Sequence, residues 1–330
     1  MNFLLLGDPH VQVNNLPESQ VMMNVVYDTL VKNPSAELLI LGDLYHTHSV
    51  VRAEVQTFWL QNLEKISKVT RTYILTGNHD MPGSVELEGK ISSLDPLKLI
   101  RNVTVVSSPL MYHDVLMMPY VRDKNAFVKA VNSHKKASIL FCHQTFDGST
   151  FENGFYAPDG LDVSLLSINT IVSGHIHSEQ LLEKNGKTIW YPGTPRWLTK
   201  SDAGQSKSIF LYDTDDKRVL SRIDMSEHIH PFVRVDVVGN DLGPLLDIQD
   251  KIKDASRLYV NITGNPEQIK KAKALVPPGS QVSTTFTESS IKKKSNKQSY
   301  SGDFMSYLDS QYEPTLVSKN ELMSFLKETM

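Results

Sequence analysis

The sequence predicts an α/β fold, and three observations carry that reading. Five short runs rich in Leu, Ile and Val, at residues 3–6, 37–41, 72–75, 138–141 and 170–172, have the length and side chains of buried strands. Between them lie stretches with helical spacing. Residues 17–32 place Val21, Met22, Val25, Val26 and Leu30 on one stripe, and residues 51–69 do the same with Val51, Val55, Trp59, Leu63 and Ile66. Finally, each strand run passes directly into polar side chains of metal-ligand type, in FLLLGDPH, ELLILGDLYH, TYILTGNHD, SILFCHQ and TIVSGHIH. Strands that alternate with helices make an α/β sheet, whose chemistry collects at the carboxyl ends of the strands. The five polar segments are therefore expected on one rim.

The pattern changes over residues 189–214 and just beyond, where TIWYPGTPRWL, SIFLYDTDD and RVLSRIDM read as short strands joined by turns and are expected to pair antiparallel. After Pro231 the order VRVDVVG, LGPLLDIQDKIKDA, RLYVNITG, PEQIKKAKALV, QVSTTFTE reads as strand, helix, strand, helix, strand. The chain thus divides into a large unit (1–230), a small α/β unit (231–288), a flexible Ser-, Lys- and Asn-rich linker (289–300) and a helical segment (301–330). The two helical patterns of that last segment are each shorter than the ~12 residues an isolated helix needs in water, so they are expected to dock on something.

Composition narrows the function classes. Apolar residues at 40% and charged residues at 22% exclude collagen-like, wholly disordered and disulfide-scaffold classes. The longest apolar runs fall far short of the ~20 residues that cross a bilayer, and no leader pattern opens the chain, so a soluble, cytoplasmic protein with no membrane association is expected. The one cysteine, Cys142, agrees with a reducing compartment and reads as a small core hydrophobe. Thirty-four basic against thirty-seven acidic residues give a net charge of -3, so any DNA binding has to be local. The charge is uneven, net +5 over residues 265–300 and net -3 over 301–330.

The polar segments carry the chemistry. Asp8 and His10 stand two apart, as do His175 and His177; on an extended backbone each pair projects to one side and can bind metal together. With Asp43, Asn78, His79 and His143 they supply carboxylates, imidazoles and an amide but no thiolate, which suits manganese, iron or zinc. The set exceeds one tetrahedral site. Two divalent ions facing Asp8 and Asp43 leave a positive, open centre for a phosphate oxygen, the setting of two-metal phosphoester hydrolysis. One such motif means little; five in register are the argument.

With DPH, GD, GNHD, a lone His after a strand and GHIH in that order, the sequence resembles the calcineurin-like metallophosphoesterases. The resemblance implies a β-sandwich flanked by helices and two divalent ions, manganese foremost. One ion would be held by Asp8, His10, Asp43 and His177, the other by Asp43, Asn78, His143 and His175. His79 would face the scissile phosphate without being a ligand. Within the superfamily, GDLYHTHSV, with His46 three residues after Asp43, and YPGTPRWLTKSDAG are similar to SbcD-type nuclease subunits in their compact phage versions. That closer likeness implies a DNA exonuclease and endonuclease acting in recombination, repair or replication, in the host cytoplasm if phage-encoded. His46 would assist His79, the small unit would be a capping domain, and 301–330 would grip an SbcC-type ATPase in a heterotetramer built on a homodimer. Two alternatives stay open: a phosphatase or phosphodiesterase on small or protein phosphoesters, and a non-catalytic clamp that regulates an ATPase.

Other residues take plainer readings. Asp80 is a turn or helix cap, or else orients an imidazole. Phe58 and Trp59 are core, or else a dimer face. Arg196 is divided between a DNA phosphate contact and loop packing. His48, His113, His134, His228 and His230 default to the surface. Lys292, Lys293, Lys294 and Lys297 are a solvated tether.

Overall fold

The computed structural model describes residues 1–48, 50–82, 91–157, 159–249, 252 and 254–287. The linker at 289–300 and the helical segment at 301–330 lie outside the described residues.

The chain lays down four of the six strands of a first sheet, builds a second and returns to add the other two. The first part comprises β1 (Asn2–Leu6), α1 (Leu16–Lys32), β2 (Ala36–Ile40), α2 (Ala53–Ile66), β3 (Thr72–Leu75) and β4 (Val103–Val106). There follow β5 (Leu110–Tyr112), β6 (Val115–Met117), α3 (Lys124–Ser133), β7 (Ile139–His143), β8 (Thr170–Gly174), β9 (Gln180–Lys184) and β10 (Lys187–Tyr191). The return strands are β11 (Ser208–Asp213) and β12 (Arg218–Asp224). The two six-stranded sheets run β12-β11-β1-β2-β3-β4 and β5-β6-β7-β8-β10-β9. Both are mixed: the first is parallel from β1 to the β4 edge and antiparallel across β11 and β12, and the second has a parallel middle and antiparallel edges.

Why the strands are continuously apolar follows from their two buried faces. Phe3 and Leu5 point into the core between the sheets, with Leu39, Leu41, Tyr73 and Leu75. Leu4 and Leu6 point the other way, against Met22, Val26 and Leu30 of α1 and Val55, Trp59 and Leu63 of α2. Phe58 and Trp59 therefore belong to this helix-facing core. α1 begins with Pro17 and Glu18 in its first turn, where a missing N–H costs nothing and a carboxylate meets the positive helix end. Phe127 and Val131 of α3 cover the outside of the second sheet.

Two expectations need correction. The 189–214 region is not purely antiparallel: β10 pairs with β8 in parallel and only with β9 antiparallel, because the crossover from β8 returns β10 in the same sense. Strands β4, β5, β6 and β9 and helix α3 were not signalled, the first three strands because runs of three or four residues carry too little periodicity.

Beyond Pro231, β13 (Val233–Val238), β14 (Leu258–Gly264) and β15 (Gln281–Phe286) form a third, all-parallel sheet with α4 (Gly243–Gln249) and α5 (Pro266–Lys273). It has its own core of Val235, Val237, Leu245, Leu258, Val260, Ile262 and Ile269. Asn265 caps α5, and Gln268 answers the cap's N–H, a reciprocal pair that the NPEQ sequence encodes. Arg257 of this unit ion-pairs with Glu18 of α1. Among the described residues, no helix is long and apolar enough to cross a membrane.

Candidate metal centre

Five strands deliver the predicted residues. The loop after β1 carries Asp8 and His10, the loop after β2 Asp43, the loop after β3 Asn78 and His79, β7 ends on His143, and the loop after β8 carries His175 and His177. Their donor atoms form overlapping clusters: Asp8, His10 and His177; His10, Asp43 and His79; Asp43, His143 and His175. Asp43 belongs to two of the three. Its Oδ2 lies 3.6 Å from His10 Nε2 and 3.3 Å from His143 Nε2, while Oδ1 accepts from the His79 N–H at 2.8 Å. Asn78 Oδ1 stands 3.0 Å from His143 Nε2 and 2.8 Å from His175 Nδ1.

The extended-chain expectation for the histidine pair does not hold. His175 adopts φ +81°, so the chain turns there and sends the two imidazoles apart. His177 Nε2 meets His10 Nε2 at 3.0 Å, whereas His175 Nδ1 meets His143 Nε2 at 3.2 Å. His10 (φ +44°) and Asp43 (φ +50°) are also left-handed. Such conformations cost non-glycine residues about 1–3 kcal/mol each and persist only where the surroundings hold them. The surroundings do: the His10 N–H donates to the Asp43 carbonyl at 2.9 Å, and the His175 N–H to Asp8 Oδ2 at 2.7 Å.

The donor set fits divalent cations. Asp8 Oδ1 and His10 Nδ1 are buried without a hydrogen-bond partner. His143 Nδ1 lies 2.7 Å from the Leu41 carbonyl, a bond only its N–H can make, so a ring that gives up its other proton turns an Nε2 lone pair toward Asp43 and Asn78. Lone pairs crowded together away from water call for a positive centre. Burial pushes His175 down to about 3 and also lowers His10 and His177, which keeps these imidazoles neutral. Burial acts to raise Asp43, yet His143 and His10 outweigh it and hold the carboxylate ionised. For His143 the balance is reversed: burial lowers it, but Asp43 and Asp8 prevail and raise it to about 10. Burial lifts Asp8 to about 7. A dication beside these groups favours the deprotonated form of each.

At the mouth His79 is joined by two more histidines, His46 and His48. His79 is half-buried, and its Nδ1 donates to the His46 carbonyl at 2.7 Å. The exposed His46 ring lies 6.0 Å from His79 and 5.4 Å from His10. His48, expected at the surface, is exposed there; its ring stacks on His79 at 4.0 Å and its Nδ1 meets the Asn78 carbonyl at 3.0 Å. The signal was available, since His48 follows His46 at the same spacing that singled out Asp8 and His10. Tyr120, stacked 5.9 Å from His175, had no such signal.

The remaining candidates resolve to support. Asp80 is fully buried and accepts from the Gly77 and Tyr45 N–H groups at 3.0 and 3.2 Å, tying the loop after β3 to that after β2. Arg196 is 1% exposed and donates to the Pro9 and His10 carbonyls at 2.8 and 2.9 Å, so loop packing prevails over a DNA phosphate contact. Cys142 is buried in β7.

The calcineurin-like phosphoesterase family profile matches residues 1–179. "Putative phosphoesterase 244L" of Invertebrate iridescent virus 6 is 29% identical over 204 residues, 58% of this chain and 68% of that protein. "Putative phosphoesterase 078R" of Invertebrate iridescent virus 3 is 25% identical, over 59% of this chain and 57% of that protein. The chain thus spans little more than half the length of the second relative. Among solved structures, "GAP50 the anchor in the inner membrane complex of Plasmodium" shares 12% identity over 88% of this chain and 98% of its own, with a TM-score of 0.38. The profile covers more than half of the sequence and every motif except the loops after residue 179, and on that ground the chain belongs to the calcineurin-like phosphoesterase family.

Proposed function

We propose that this phosphoesterase is a metal-dependent DNA nuclease that works with an SbcC-type ATPase in recombination, repair or replication. Family membership implies a phosphoester hydrolase; the observation that carries the narrower reading is His46. Three residues after Asp43, it stands exposed at the mouth of the cluster with its ring toward His10 and its carbonyl on His79. A histidine at this place is the feature by which the sequence resembles nucleases rather than protein phosphatases.

Asp8, His10, Asp43 and His177 would hold one divalent ion, and Asp43, Asn78, His143 and His175 the other, with manganese the foremost choice. Bound there, two such ions supply Lewis acidity and a water of lowered pKa. The chain's own part is positional and acid–base. The bond from His79 Nδ1 to the His46 carbonyl aims the ring and leaves Nε2 free; burial lowers the His79 pKa, so the protonated minority of this imidazole would give its proton to the departing sugar oxygen as a water oxygen bonds to phosphorus and the P–O bond to the sugar breaks. His48 stacks on the face of His79 and restricts its rotation. A chain of net charge -3 has little long-range attraction for DNA, which is why a partner at 301–330 and a homodimeric heterotetramer belong to the proposal.

The test is purified protein with manganese on end-labelled linear duplex beside a small phosphate monoester, with and without the ATPase. Cleavage of duplex supports the reading. Hydrolysis of the monoester alone would make it a phosphatase.

A further inference from the structure

Two buried cations outside the ligand set lie directly behind the first cluster. Both come from the segment that follows β10. Arg196, 1% exposed, places Nη2 on the Pro9 carbonyl at 2.8 Å and on the His10 carbonyl at 2.9 Å. Lys207, 2% exposed, places Nζ on the His177 carbonyl at 2.9 Å and is itself held by Asp202 Oδ1 at 2.6 Å and Gln205 Oε1 at 3.0 Å. The Thr194 N–H shares the His177 carbonyl at 3.0 Å. His10 and His177 are the two residues whose Nε2 atoms meet at 3.0 Å.

Burying two cations where further positive charge is to be bound works against that binding electrostatically. The cost has a return in geometry. His10 sits at φ +44°, a conformation that needs its neighbours to hold it, and one guanidinium nitrogen, Nη2, spans the carbonyls on both sides of its N–Cα bond. The second cluster is braced differently, by the Leu41 carbonyl on His143 and the His79 N–H on Asp43. Glu18 and Asp202 partly neutralise the two cations, at 3.7 Å from Arg196 Nη1 and 2.6 Å from Lys207.

We propose that Arg196 and Lys207 are positioning residues for the first metal position. They fix the backbone of His10 and His177 so that both imidazoles close on one ion, and they touch neither ion nor substrate. The inference rests on the reading of the site as a two-metal centre.

The test is manganese titration of the full chain, followed by calorimetry and electron paramagnetic resonance, on Arg196→Met, Lys207→Met and Arg196→Lys. The control is Lys187→Met, a buried lysine that bonds the Ile168 carbonyl and Asn169 Oδ1 away from the site. Losing such outer partners is expected to weaken one of the two ions by about 10–100-fold, so that an exchange-coupled pair gives way to a single-ion spectrum. Lys187→Met keeps the pair. Arg196→Lys preserves charge without the planar guanidinium that sets Nη2 between the two carbonyls, and carries the Arg196 test if the methionine variant does not fold; the same one-ion loss is expected. Equal weakening of both ions, or two unchanged ions in Arg196→Lys and Lys207→Met, overturns the proposal. Wild-type protein that takes up no ion overturns the two-metal reading and this inference with it; two ions in the wild type with no selective loss overturns the inference alone.

Discussion

His175 and His177 stand two apart in sequence and join different clusters, and a single backbone angle separates them. With φ +81°, His175 turns its Nδ1 to Asn78 and His143, while His177 reaches back to His10. The same economy of position governs His79, whose Nδ1 bond to the His46 carbonyl leaves Nε2 for the proposed proton transfer. His79→Gln should retain metal, read by elemental analysis, and lose turnover by about 10²–10⁴-fold, the usual contribution of a placed acid or base. Cleavage at the wild-type rate would remove His79 from the reaction. His48→Ala should leave the metal content unchanged and slow cleavage by about tenfold, the scale of one modest hydrogen bond together with its stacking contact.

At the level of elements, the strand ends succeed as ligand platforms because glycines let neighbouring loops touch. A Cβ at Gly77 would lie 2.2 Å from Asp43 Oδ1 and 2.4 Å from the Asp43 nitrogen; one at Gly174 would lie 2.5 Å from Asp8 Oδ1. Gly77→Ala should therefore displace Asp43, lowering stability by about 1–3 kcal/mol and metal occupancy with it. Gly186→Ala, in the β9–β10 turn at φ +71° with open space around it, carries only the left-handed penalty of about 1–2 kcal/mol and should keep full occupancy. Thermal denaturation with metal analysis on both variants separates crowding from backbone strain. Equal occupancies in the two would show that the close approach at Gly77 is not what holds Asp43.

For the molecule as a whole, the centre is assembled from both sheets, Asp8, Asp43 and Asn78 from the first and His143, His175 and His177 from the second. Metal bound there ties the sheets together in the folded state alone, so ions at about 100 times their dissociation constant should stabilise the fold by roughly 2.7 kcal/mol per independent site. Chelation should lower the melting temperature by several degrees and stop hydrolysis, and added manganese should restore both. An unchanged melting curve after chelation would mean that the clusters hold no ion in solution.

The sequence by itself determined the fold class, the two helices of the first layer, the order of the small α/β unit and the set of residues brought to one rim. Each of those is written in local periodicity or in a polar residue at the end of an apolar run. Only the tertiary structure decided how the ligands divide between clusters, since that depends on left-handed angles at His10, Asp43 and His175 that no local pattern signals. It also decided that Arg196 faces inward, that His48 stacks on His79 and that β10 joins β8 in parallel. These are contacts between residues distant in the chain or set by a loop's path, and their energies come from burial and carbonyl partners that exist only once both sheets have closed.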